Sequence, residues 1–233
     1  MSNSRLKADL ILLVVAVIWG SAFAAQRVAA NQMGVFLFNG LRFLIGAFVL
    51  LPFLAVSEDR RSTARGDLVR GWRQMLLLGG VLFAGAAFQQ AGLRYTTTAN
   101  AAFITGLYVV FIPLFLAMFG RQRLGRIIWL AAALSAVGLG LLSLGSGGEG
   151  LSRVNRGDAF ELAGAVFWAL QVILLGRFVR QLGVLTLSVG HYAVAGALSV
   201  LAAILWEPGA WSAAVQVWCA ILYLGRVSTG LAF

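Results

Sequence analysis

Cysteine, histidine, lysine and proline are all scarce in this 233-residue chain, and each scarcity excludes a class of chemistry. The single cysteine, Cys219, rules out an internal disulfide and any metal site built from several cysteines. It lies in an apolar run, where it reads as a small packed residue. The one lysine, Lys7, stands near the N-terminus outside any glycine-rich phosphate loop, so ATP is not an energy source within the chain. Charged residues make up 11% of the composition, too few to cover the surface of a soluble protein of this size. Neither a cofactor nor a metal is called for.

What is plentiful is apolar. Hydrophobic residues account for 61% of the chain, with a mean hydropathy of +0.90. Runs near 20 residues, enough to cross about 30 Å of hydrocarbon, recur along its length. The 28 glycines suit close helix packing in lipid. The reading is an all-α, polytopic transmembrane bundle, with helices at about 8–29, 34–56, 74–94, 96–119, 127–145, 158–180, 184–206 and 212–233. Arg5 and Lys7 before Leu10–Ile18, with Ala22-Phe23-Ala24 following, mimic a signal peptide. The same pattern recurs around Trp168, deep in the chain, so this stretch reads as a first transmembrane helix.

The net charge of +10 sits in short loops between apolar runs, so it reports topology rather than nucleic-acid binding. With the N-terminus in the cytoplasm, Arg5, Lys7, Arg60, Arg61, Arg65, Arg70, Arg73, Arg121, Arg123, Arg126, Arg177 and Arg180 fall inside. Only Arg27, Arg94, Arg153 and Arg156 fall outside, while Arg42 and Arg226 lie within helices.

The chain also repeats itself about 149 residues apart. Lys7-Ala8-Asp9, Trp19 and Arg27 recur as Arg156-Gly157-Asp158, Trp168 and Arg177. Arg42-Phe43 with Gly46-Ala47 recur as His191-Tyr192 with Gly196-Ala197. Gly80 and Gly85 through Phe88 recur as Gly225 and Gly230 through Phe233. The unit holds five helices, an odd number, so the second copy starts on the opposite side of the membrane and the repeats are inverted. The first repeat is assigned to residues 1–147 and the second to 148–233, with a solute site expected between them.

Helix one with Trp19-Gly20-Ser21-Ala22-Phe23, helix two with Arg42-Phe43 and Leu51-Pro52, and above all the run from Tyr95-Thr96-Thr97-Thr98-Ala99-Asn100 to Phe111-Ile112-Pro113-Leu114 carry a resemblance. They resemble the EamA-type branch of the drug/metabolite transporter superfamily. The resemblance implies a ten-helix transporter of two inverted five-helix repeats, multi-pass in a bacterial inner membrane, exporting amino acids, metabolites or drugs. Against that pattern about eight of ten helices are present, since the second repeat stops at the equivalent of Phe88. Arg226 stands where Val81 sits in the first copy.

The polar residues inside apolar helices are the candidate substrate pathway, because such groups face a cavity or a partner in lipid. Arg42, about 12 Å into helix two, is an anchor for a carboxylate or a snorkelling packing residue, with Glu161 as a candidate partner. His191, its repeat mate, and the pair Asn39 and Ser188 would face one pathway from opposite ends; His191 is either a titrating group or an interhelical hydrogen-bonding one. Trp19 and Trp168 are repeat mates near mid-helix, either walling a cavity or packing in the core. Trp72, Trp206 and Trp211 read as interfacial belt residues. Gln89, Asn100, Thr105 and Tyr108 give helices three and four a polar side, and Gln171 joins them on helix six. No acidic residue stands at mid-membrane, which argues against a carboxylate relay. Gly145-Ser146-Gly147-Gly148 reads as a flexible turn. Ser188 and His191, three apart, would be the germ of an intramembrane hydrolase, but no oxyanion motif accompanies them and an enzyme is not the reading.

The function these features point to is a secondary transporter of small organic solutes working by alternating access, most naturally outward. The rival reading is a truncated, transport-inactive remnant or scaffold. Partners are the lipid bilayer and a small solute, with no nucleic acid; the sequence leaves a homodimer open.

Overall fold

The structure is a computed structural model that describes residues 3–56, 66, 69–120, 124–145, 155–209 and 211–231. Among these residues every regular element is helical. The helices are α1 (Asn3–Gln32), α2 (Val35–Val56), α3 (Trp72–Gly92), α4 (Thr98–Gly106), α5 (Tyr108–Met118), α6 (Arg126–Gly145), α7 (Arg156–Leu182), α8 (Val184–Trp206), α9 (Trp211–Ala214) and α10 (Trp218–Tyr223), the last running on as a π-helical stretch, Leu224–Leu231. Among the described residues, six spans are long and apolar enough to cross a membrane, with Thr98–Met118 counted as one. The chain is a multi-pass membrane protein. Arg60, Arg61, Arg65, Arg121, Arg123 and Arg153, residues 146–148 of the glycine-rich turn and the 147/148 repeat boundary lie outside the described residues.

Two elements differ from the sequence reading. The helix expected at 96–119 is broken at Leu107, whose N–H bonds the Ile104 carbonyl at 3.1 Å while its own carbonyl accepts from Val110 at 2.8 Å. These i to i+3 bonds tighten one turn where Gly106 weakens the helix and Pro113 withholds the N–H that Val109 would otherwise receive. The helix expected at 212–233 is interrupted at Val215–Val217 and widens from Leu224. There Gly225 and Thr229 are pressed against α2: a methyl on Gly225 would stand 3.0 Å from the Arg42 carbonyl oxygen. α1 also begins at Asn3, five residues before the helix expected at about 8–29.

Hydrogen bonds between elements fix their directions. Arg94, just past the end of α3, donates from Nε to the Ala30 carbonyl (2.9 Å) and from Nη2 to the Met33 carbonyl (2.5 Å). The end of α3 therefore lies beside the end of α1. Thr96 at that same end donates to Asp158 in the first turn of α7 (2.5 Å). α7 thus starts where α1 finishes, and Asp9 and Asp158 lie at opposite ends of the bundle. Asn155 and Asp158 form a reciprocal capping box on α7, which explains the carboxylate's position in that turn. α2 and α8 are antiparallel as well: Glu207, after the last turn of α8, accepts from the backbone N–H of Phe36 and of Leu37 at the start of α2, each at 3.0 Å. A carboxylate there satisfies two orphan donors and complements the helix dipole.

Glycine permits these crossings. Gly92 on α3 and Gly157 on α7 meet backbone to backbone; a methyl on Gly157 would sit 2.7 Å from the Gly92 carbonyl oxygen. The buried core gathers Phe43, Leu82, Ala86 and Tyr192 from α2, α3 and α8. α6 lies at the periphery, with Ile127, Leu130, Leu134, Val137 and Leu141 exposed on one helical stripe, as a lipid-facing helix requires. Trp72, Trp206 and Trp211 are exposed too, and the Arg73 guanidinium lies 5.3 Å from the Trp72 ring.

Candidate functional site

A cavity of about 180 Å³ lies among the helices. Two of its walls are four-residue stripes that lie 149 positions apart in the sequence. α1 contributes Trp19, Ala22, Phe23 and Gln26, and α7 contributes Trp168, Gln171, Val172 and Leu175. Each set follows the i, i+3, i+4, i+7 spacing of one helical face. Each member is 149 residues from its mate, and the two helices run in opposite directions. The polar position is exchanged: the first stripe carries its glutamine on its last residue, the second on its second.

α2 contributes Arg42 and Phe43. Arg42 is 5% exposed. Its Nη1 donates to Oε1 of Gln26 at 2.9 Å, and its carbon Cζ lies 4.6 Å from the centre of the Phe43 ring and 5.6 Å from that of Phe38. Its Nε is buried with no partner among the described residues. The expected partner Glu161 is not the one found, because Gln26 on α1 presents its amide to the cavity while Glu161 is held elsewhere.

Gln89, Thr105 and Tyr108 close a further wall, with Thr105 and Tyr108 lying on either side of the Leu107 break. Behind that wall lies a buried polar chain. Gln89 Nε2 donates to the Thr105 hydroxyl at 3.2 Å, and that hydroxyl donates to Oε2 of Glu161 at 2.9 Å. Glu161 is fully buried, and its Oε1 has no partner among the described residues. Ser228 and Thr229 of the π-helical stretch reach the cavity from the last segment. Among the described residues, no three His, Cys, Asp or Glu side chains come together to hold a metal ion.

Residues 6–144 match the EamA-like transporter family. The chain belongs to that family. It is 34% identical over 178 residues to an uncharacterized transporter of Archaeoglobus fulgidus, an alignment covering 76% of this chain and 51% of the relative. It is 27% identical over 198 residues to the uncharacterized inner membrane transporter YedA of Escherichia coli, covering 82% of this chain and 58% of the relative. The chain thus spans little more than half the length of these relatives. A solved crystal structure superposes with a TM-score of 0.72 at 26% identity, covering 99% of this chain and 77% of the other. The family is one of transporters and not of enzymes.

Within this EamA-like bundle, Trp19, Arg42, Gln89, Thr105, Tyr108, Trp168 and Gln171 line the cavity. Asn39, Asn100 and His191 do not. Asn39 is fully buried on α2, with neither polar atom of its amide paired among the described residues. Asn100 is buried near the start of α4, its backbone N–H bonded to the Thr97 hydroxyl at 3.1 Å. His191 is fully buried on α8; its Nδ1–H donates to the Leu187 carbonyl of its own helix (2.6 Å) and its ring lies 4.3 Å from that of Tyr192. Arg42 and His191, repeat mates in sequence, therefore do not share the cavity: Tyr192 packs face to face on Phe43, ring centres 6.1 Å apart, in the core beside it. Gln26, Phe43, Ser228 and Thr229 line the site without having been singled out. Gln26 was within reach of sequence reasoning, since it stands two helical turns from Trp19 on the same face.

Proposed function

We propose that this chain forms the solute pathway of a secondary transporter that moves small organic molecules, such as amino acids, metabolites or drugs, by alternating access. Residues 1–147 and 148–233 are its two inverted repeats, with the N-terminus in the cytoplasm of a bacterial cell and net movement outward. The observation that carries this is the pair of mated stripes, Trp19 to Gln26 and Trp168 to Leu175, facing one cavity from oppositely directed helices. A hollow bounded by equivalent surfaces of two inverted units has two near-equivalent ways to open, one toward each side of the membrane.

The test needs no substrate. Cys219 is replaced by serine and single cysteines are placed at Ala22 and Gln171. Both are treated with a membrane-impermeant thiol reagent in right-side-out and inside-out vesicles. Alternating access makes each reactive from both sides, at rates that shift together. Cysteines that stay unreactive from both sides would mean a sealed packing interior and end the transporter reading.

A further inference from the structure

The cavity has a charge and a polarity that select its occupant. Among the described residues that line it, Arg42 alone is ionic. Among the described residues its hydrogen-bond partner is a neutral amide, and its buried Nε finds no partner there. Glu161 is not among the lining residues and is bonded to Thr105. A guanidinium taken out of water without a counter-charge is costly, and an entering anion supplies what is missing. The guanidinium is a fork that matches a carboxylate with two parallel hydrogen bonds, while Phe43 and Phe38 lie within cation–π range of it.

A second polar station lies on α7. Gln171 is 2% exposed, and among the described residues neither its amide oxygen nor its nitrogen has a partner. The indole Nε1 of Trp168, one turn away on the same face, is buried and unpartnered as well. Buried polar atoms are ordinarily paired, so donor and acceptor together await a group that both gives and takes a hydrogen bond. Large apolar side chains, Trp19, Phe23, Leu82 and Val172, share the lining with the two stations.

We propose that the solute is an organic monoanion with a flat apolar body: its carboxylate binds Arg42, and a hydroxyl or amide farther along the molecule binds Gln171 and Trp168. This rests on the reading that the cavity is the solute site, and it adds the substrate class.

The test uses one scaffold in three charge states: 3-phenylpropionate, 3-phenylpropanol and 3-phenylpropylamine. Each is titrated calorimetrically into the full chain in nanodiscs of zwitterionic lipid, beside 3-(4-hydroxyphenyl)propionate. The expected order is anion over alcohol over amine, with the hydroxylated anion tightest. Arg42→Gln should weaken the anions roughly 10- to 100-fold, the loss of a charge-assisted bond, and leave the alcohol within about threefold. Gln171→Leu should remove the advantage of the hydroxylated anion alone. The ratios of affinities within one variant are unaffected by the fraction of protein that is folded. Equal affinity for all three charge states, or an anion preference that survives Arg42→Gln, overturns the proposal and leaves the transport reading standing. If no scaffold binds and the cysteines above are unreactive, the transport reading itself has failed. Loss of anion binding when phosphatidylglycerol is added would assign the site to a lipid headgroup and also overturn the proposal.

Discussion

Gly79 and Gly80 are neighbours on α3, and the structure separates their fates. A methyl on Gly79 would stand 2.5 Å from Cβ of Val194 and 2.9 Å from the carbonyl oxygen of His191, both on α8; one on Gly80 would meet nothing within 4 Å. Comfortable carbon contacts lie near roughly 3.5–4.0 Å, so Gly79→Ala leaves a shortfall of about 1 Å against Val194. The His191 carbonyl is backbone and cannot swing aside, so α3 and α8 must part. Overpacking of this kind costs about 1–3 kcal/mol. Gly80→Ala carries no such clash, and any effect comes from helix propensity, at most about 1 kcal/mol in its favour. The propensity gain is common to both substitutions and cancels, so the difference between the two variants is the overpacking cost itself, about 1–3 kcal/mol. Reversible unfolding in mixed micelles, by titration with a denaturing detergent and far-ultraviolet dichroism, measures it directly. Equal midpoints for the two variants would refute the close approach of α3 and α8 on which the placement of Tyr192 and Phe43 depends.

Other consequences are as direct. Glu207→Ala strips two backbone N–H groups at the start of α2 of their acceptor and should cost about 1–2 kcal/mol in the same unfolding measurement, with Glu207→Gln recovering part of it. Glu161→Ala removes the acceptor of the Thr105 hydroxyl and opens a void, a loss of about 2–4 kcal/mol. Glu161→Gln keeps an acceptor oxygen and should lie within about 1.5 kcal/mol of the parent, read as melting temperature in detergent. Trp168→Phe keeps an aromatic ring but deletes the indole N–H, so it should lower affinity for the hydroxylated anion and not for 3-phenylpropionate, as measured by calorimetry.

Much of the site was written in the linear sequence. The repeat spacing of Trp19 and Trp168, together with helical periodicity, is enough to place two equivalent faces on two oppositely directed helices. Arg42 was conspicuous because a cation within an apolar run has few ways to be tolerated. Glu161 stood out as a candidate partner for Arg42, but its burial does not show in its position: it stands five residues beyond Arg156, about 7.5 Å along the axis, and reads as close to an interface. Only the approach of α3 and α4 over it, through Gly92 and Thr105, buries it completely.

Composition and periodicity determined that this chain is a bundle of membrane-crossing helices, since the need to satisfy every backbone group in lipid leaves a helical segment no alternative. Tertiary structure decided which way each helix faces. In a chain whose core and lipid-facing surfaces are both largely apolar, scattered polar positions mark the inside only in part. The packing contacts decided that Gln26, and not Glu161, meets Arg42, that Tyr192 packs beside the cavity while Phe43 lines it, and that the widened turn after Leu224 brings Ser228 and Thr229 to the same hollow.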